Sequence, residues 1–71
     1  MRKDFAKQFG ERVRLLRQRK KLSQEAFADL VGLDRTYISG IERGIRNPSL
    51  FALKILADAL DTTLGKLFRG L

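Results

Sequence analysis

The chain has 71 residues, 44% of them hydrophobic, which is enough apolar surface for one small core, so we expect a single domain. It contains no cysteine and no histidine, which excludes disulfides, thiolate metal sites, thiol nucleophiles and the commonest general base. Fifteen lysine and arginine residues against eight acidic residues give a net charge of +7, which favours a polyanionic partner.

The positive charge is concentrated at the start of the chain. Residues 1–21 carry nine basic and two acidic side chains, whereas residues 22–71 carry six of each. This basic segment is equally consistent with a solvated helix face and with phosphate contacts. Neither a secretory leader nor a bilayer-spanning apolar run is present in the sequence, so we expect a cytoplasmic protein with no membrane partner.

Apolar spacing and capping residues predict an all-α chain of five helices. The first covers about residues 4–20. Its apolar stripe is formed by Phe5, Phe9, Val13 and Leu16. Ser23 is the expected N-cap of the second helix, and Gly32 is expected to end it. The residues expected to face inward from this second helix are Phe27, Leu30 and Val31.

The remaining three helices follow from the same signals. Asp34 is the expected N-cap of the third helix, which Gly44 ends, and Ser49 is the expected N-cap of the fourth. A last short helix is predicted from about Thr63. The residues expected to face inward from the third and fourth helices are Ile38, Ile41, Leu53, Leu56, Ala57 and Leu60; the apolar residues of the last are Leu64, Leu67 and Phe68.

The second and third helices are predicted to cross at a steep angle. Ala28 is small enough for the next helix to approach closely, Gly32 accepts a positive φ, and Ile38 and Ile41 anchor the third helix to the core. The N-terminal half of the third helix would then project outward. A DNA major groove, about 12 Å wide, admits one such helix.

A resemblance to the Cro and phage-repressor (Xre-like) helix-turn-helix regulators is carried by the segment LSQEAFADLVGLDRTYISGIERGIRNPSLFALKILADAL. Within that family, LDRTYISGIERGIRNPSL is most similar to the controller proteins of restriction-modification systems, which are small autoregulatory dimers. The resemblance implies a compact, five-helix, lambda-repressor-like DNA-binding domain over residues 1–71. Its helix-turn-helix would lie at about 23–44 and a dimerisation helix at about 63–69.

The resemblance also implies DNA contacts. Residues expected to read base edges are Arg35, Thr36, Tyr37 and Ser39, with Arg35 suited to guanine O6 and N7. Residues expected to contact phosphate are Ser23, Gln24, Arg43, Arg46 and Asn47. The alternatives are that Tyr37 packs at the core edge, that Thr36 and Ser39 are merely solvated, and that Arg43 compensates a helix dipole.

Three further expectations come from the family. Arg17 and Glu42 would form a partly buried salt bridge between the first and third helices. Gly40 stands where relatives carry a base-reading side chain, and its lack of a side chain would permit closer approach to DNA. Candidates for a homodimer interface, with an intramolecular core as the alternative, are Phe51, Ile55, Leu64, Phe68 and Leu71.

These features favour a sequence-specific regulator of double-stranded DNA that binds a palindromic operator as a homodimer. It would be autoregulatory, either as a restriction-modification controller or as a phage-type repressor. The alternatives are an antitoxin-like helical protein-interaction module and a basic amphipathic membrane binder. An enzyme is least favoured, and the sequence predicts no cofactor, metal site or small-molecule ligand.

Overall fold

The computed structural model describes the backbone of residues 2–71 and the side chains of residues 4–71. Its helices are α1 (Arg2–Arg19), α2 (Gln24–Val31), α3 (Arg35–Glu42), α4 (Leu50–Ala59) and α5 (Leu64–Phe68). Residues 2–71 contain no strand. The predicted all-α fold of five helices is therefore confirmed.

Each helix after the first begins at a side-chain cap. The Ser23 hydroxyl accepts a hydrogen bond from the Ala26 amide at 3.0 Å, and the Ser49 hydroxyl accepts one from the Ala52 amide at the same distance. The side chains of Asp34 and Thr63 cap α3 and α5 in the same way. Because a cap satisfies amides that lack an intrahelical partner, these four polar residues fix where the helices start.

The core is formed by buried side chains from all five helices. The largest fully buried side chains are Phe27, Ile38, Ile41, Leu56, Leu67 and Val13. Ile38 and Ile41 are one turn apart on α3, so burying both fixes the opposite side of this helix toward solvent. The predicted anchoring of α3 through these two residues is confirmed.

The sequence-based assignment of Leu30 to the core is wrong, since its side chain is 61% exposed. Ala28 lines the core instead, together with Phe27 and Val31. At 3.6 residues per turn, the arc that contains these three residues turns Leu30 toward the outer side of the helix. Phe5, also predicted to be inward, is 44% exposed at the start of α1, where its ring stacks on Phe68.

Two glycines allow α1 to lie directly against the C-terminal end of α3. A Cβ atom added at Gly10 would overlap the Ile41 carbonyl oxygen and lie 2.6 Å from that of Glu42. At Gly44, where φ is +77°, a Cβ atom would lie 2.7 Å from the Lys7 Cα. The first and third helices therefore approach each other through backbone contacts that a larger residue would prevent.

We expect Gly10→Ala to lower the free energy of unfolding by about 2 kcal/mol or more, because the new methyl group must displace the backbone of α3. Gly65→Ala is the matched control, since the nearest atom to its added Cβ is 3.9 Å away. The control gains helix propensity without a clash, so its free energy of unfolding should be unchanged or higher by up to about 1 kcal/mol. Urea titration of both variants measures the difference, and equal stabilities would contradict the close approach.

Candidate nucleic-acid interface

The outer side of α3 carries polar side chains along its N-terminal half. Arg35 and Thr36 are exposed, and Tyr37 and Ser39 are half-buried. Ile38, between them, is fully buried. The burial of Ile38 thus presents Arg35 and Thr36 on a fixed surface, while Tyr37 and Ser39 lie at its edges.

Asp34 stabilises the start of this surface. Its carboxylate accepts a hydrogen bond from the Thr36 amide at 3.1 Å. The hydrogen bonds from Thr36, backbone first, lower the pKa of Asp34 below its usual value, and the nearby positive charge of Arg46 acts in the same direction. The carboxylate therefore stays ionised at neutral pH, where its charge complements the positive end of the α3 dipole.

Tyr37 connects α3 to the beginning of α4. Its hydroxyl accepts a hydrogen bond from the Ser49 amide at 3.0 Å, and the Arg46 guanidinium lies 5.1 Å from the centre of its ring. The ring packs against the edge of the core. The structure thus places Tyr37 in the packing arrangement considered as an alternative, although its hydroxyl proton remains available for donation.

Gly40 does not offer open backbone to DNA, contrary to the sequence-based expectation. It is buried, and a Cβ atom added there would lie 3.0 Å from the Arg46 Cβ. The Gly40 carbonyl accepts hydrogen bonds from the amides of Ile45 and Arg46 at 3.0 and 3.2 Å. The glycine therefore makes room for the loop after α3, and Arg46 covers the position that the family resemblance had associated with base reading.

Arg17, Glu42 and Gln24 form a network that joins α1, α3 and α2. Arg17 Nε donates to Glu42 Oε2 at 2.7 Å and Arg17 Nη2 donates to Oε1 at 3.0 Å. The side chains of Arg17 and Glu42 are only 9% and 2% exposed. Gln24 Nε2 also donates to Glu42 Oε1, at 3.0 Å. The expected salt bridge is present, and Glu42 also accepts a hydrogen bond from Gln24, a residue expected to contact phosphate.

Comparison with known proteins identifies this arrangement. A sequence model of the helix-turn-helix family matches residues 13–67. The chain is 47% identical over 66 residues to the control protein C.MunI of a Mycoplasma species, covering 92% of this chain and 89% of that protein. This chain belongs to the helix-turn-helix family of DNA-binding transcriptional regulators.

Solved structures agree with the family assignment. The restriction-modification controller protein C.AhdI from Aeromonas hydrophila superposes with a TM-score of 0.83 at 54% identity, over 92% of this chain and 97% of that one. SinR, a master regulator for biofilm formation solved in complex with DNA, superposes with a TM-score of 0.78 at 32% identity. That match covers 83% of this helix-turn-helix chain and 95% of the SinR chain in that structure.

Part of the positive charge of this helix-turn-helix protein is engaged internally. The Arg12 guanidinium donates to the carbonyl oxygens of Leu67 at 3.2 Å and Arg69 at 2.9 Å, and Lys20 forms an ion pair with Asp61. These partners lie more than 40 positions away, so no local pattern identifies them. The basic segment at the start of the chain therefore helps to hold the fold together, through Arg12 and Lys20. No helix formed by residues 2–71 has the length and apolar character needed to cross a membrane.

The outer sides of α4 and α5 expose apolar side chains to different degrees. Phe51 is 74% exposed, and Ile55 is half-buried in a groove that it shares with Leu30. The Phe68 ring stacks on Phe9, with ring centres 5.1 Å apart. Phe68 is therefore partly used within the chain, whereas Leu30 is an apolar surface residue that the sequence analysis missed.

We expect Arg12→Met to loosen the C-terminal end of the chain, because α5 loses the guanidinium that binds its last carbonyls. The free energy of unfolding should fall by about 1 kcal/mol, and amide hydrogen exchange should accelerate over residues 67–71. Arg14→Met, which changes an exposed arginine of the same helix, is the matched control. Unchanged exchange in the Arg12 variant, or equal effects of both substitutions, would contradict this role.

Proposed function

We propose that this regulator binds a palindromic DNA operator as a homodimer, with α3 of each protomer in the major groove. The observation that carries the proposal is the orientation of α3: Ile38 and Ile41 are buried while Arg35 and Thr36 face solvent. A helix held in this way can enter a groove without rearrangement. Action on DNA would place the protein in the cytoplasm.

Base recognition is assigned chiefly to Arg35. Its planar guanidinium can donate two parallel hydrogen bonds to guanine, and Thr36 beside it can contact a base edge or a thymine methyl group. Ser39 lies further along the helix and would make a secondary contact. Tyr37, with its ring packed, would contribute through its hydroxyl and not through stacking.

Contacts with the DNA backbone are assigned to polar residues around α3. Arg43, Arg46 and Asn47 are exposed at the C-terminal end of α3 and in the loop that follows it. Ser23 and Gln24 lie at the start of α2. Contacts from both sides would set the register of α3 on the duplex without reading its sequence.

Dimerisation is assigned to the outer side of α4 together with residues near the C-terminus. Phe51 and Ile55 would form the centre of this surface, and Leu64, Phe68 and Leu71 its continuation. A two-fold axis would place two copies of α3 about 34 Å apart, one helical turn of DNA. Binding would then depend on protein concentration, which suits an autoregulatory protein.

The similarity to C.MunI and C.AhdI favours a restriction-modification controller over a phage-type repressor. Both relatives match over nearly the whole of this chain, at 47% and 54% identity. Autoregulation by such a controller would couple its own synthesis to operator occupancy. The position of the operator relative to the promoter would determine whether binding activates or represses.

Selection from a pool of random duplexes should yield a palindromic operator, and Arg35→Ala should lower the affinity for it by about 10-fold or more. Affinity for random DNA should change much less. Arg35→Lys keeps the charge but not the paired donors, so it should resemble Arg35→Ala in specificity. Gel shifts at moderate salt measure these affinities; absence of any selected sequence would support a protein-interaction module instead.

Arg43→Ala should behave differently, because it removes a proposed phosphate contact. Affinity for operator and random DNA should fall by similar factors, and the slope of log affinity against log salt should become shallower by about one. Arg14→Ala is the charge-matched control, since Arg14 is an exposed arginine of α1 to which no DNA contact is assigned. A loss confined to the selected operator would reassign Arg43 to base recognition.

Phe51→Asp should disrupt the dimer, because it places a charge at the centre of the proposed interface. The carboxylate near the start of α4 is compatible with the helix dipole, so the fold should persist. Analytical ultracentrifugation should show the 8.1 kDa monomer at concentrations where the unmodified protein is dimeric. Leu15→Asp, on exposed α1 surface, is the control; a dimer that survives Phe51→Asp would place the interface elsewhere.

A further inference from the structure

We propose that Glu42 is a positioning residue for Gln24: the buried carboxylate holds one N–H of the Gln24 amide and thereby presents the other to a DNA phosphate. The inference rests on the proposed function, which makes Gln24 a phosphate contact. It adds a link from the buried salt bridge to the DNA surface. Glu42 itself would not touch DNA.

The orientation of the Gln24 amide follows from the chemistry of its partner. Nε2 lies 3.0 Å from Glu42 Oε1, and an ionised carboxylate can only accept hydrogen bonds. Rotating the amide by half a turn would place its oxygen against the carboxylate oxygen, which is repulsive. The NH2 group therefore faces Glu42, and its second N–H remains for another acceptor.

The carboxylate is itself held so that it can orient the amide. Arg17 binds both oxygens of Glu42 through Nε and Nη2, so the carboxylate cannot rotate freely. The third nitrogen of the same guanidinium, Nη1, donates to the Leu22 carbonyl oxygen at 2.7 Å. Leu22 lies two residues before Gln24, which is the first residue of α2. Arg17 therefore fixes both the chain that enters α2 and the Glu42 carboxylate that Gln24 contacts.

This arrangement would increase affinity by removing freedom before DNA arrives. A glutamine side chain has several rotatable bonds, and ordering them on binding opposes association. In this protein the amide is already held by a side chain that is 2% exposed. The rotamers of Gln24 are therefore restricted during folding, and a phosphate oxygen meets a prepared donor.

The affinity test compares Gln24→Ala in two backgrounds. In the otherwise unmodified protein, it should weaken operator binding by about 10-fold, the effect of a hydrogen bond to a charged group. The second background replaces the ion pair by Arg17→Met together with Glu42→Leu, which leaves no unpaired buried charge and is commonly tolerated. In that background, Gln24→Ala should weaken operator binding by less than about 3-fold. An equal 10-fold loss in both backgrounds would overturn the proposal, as would no loss in the first.

A second measurement uses the free protein and so separates this inference from the proposed function. In two-dimensional NMR spectra, the side-chain NH2 protons of Gln24 should be shifted away from the values of a free glutamine amide, and the proton that faces Glu42 should exchange slowly with water. Gln18, exposed on α1, is the internal control and should show the shifts and the fast exchange of a free glutamine amide. A Gln24 amide that behaves like that of Gln18 would overturn the positioning role even if the operator is bound, and even if the apolar background fails to fold. If the amide is held but no operator is selected, the positioning stands and only the DNA-binding proposal fails.

Discussion

The buried pair formed by Arg17 and Glu42 refines the orientation that the apolar anchors Ile38 and Ile41 give to α3. Removing two charges from water opposes folding, so such a pair adds little net stability compared with apolar residues of the same size. It does impose geometry, because the planar guanidinium meets both carboxylate oxygens and also the Leu22 carbonyl. A small rotation of α3 would break several hydrogen bonds at once. The apolar contacts of Ile38 and Ile41 tolerate such adjustments more readily, since they are not directional.

The close approach of α1 to α3 reinforces the same constraint by steric means. Gly10 lies against the Ile41 and Glu42 carbonyl oxygens, and Gly44 lies against the backbone of Lys7. This close packing brings the Arg17 guanidinium within hydrogen-bonding distance of the Glu42 carboxylate. Directional bonds and backbone contact therefore favour the same arrangement of the two helices.

Sequence reasoning predicted what depends on neighbours along the chain. The caps at Ser23, Asp34 and Ser49 and the positive φ at Gly32 are local features, so the helix bounds follow within one or two residues. Features that depend on distant partners were missed. These are the outward orientation of Leu30 on α2, the covering of Gly40 by Arg46, and the C-terminal partners of Arg12. The expected salt bridge came from family resemblance, because nothing local to Arg17 indicates a partner 25 positions away.

The outward residues of α3 lie on a segment that is held at both ends. At the C-terminal end Glu42 is fixed by Arg17, and nearer the N-terminal end the Tyr37 hydroxyl accepts a hydrogen bond from the amide of Ser49, the N-cap of α4. Arg35 and Thr36 precede Tyr37 by only one or two residues, so their backbone is held by the Asp34 cap on one side and by this tyrosine on the other. If α3 enters a groove as proposed, a backbone restrained in this way would lose little entropy, which would leave more of the interaction free energy for discriminating between bases. Specificity would then depend on how the bundle holds α3 as much as on the side chains that α3 presents.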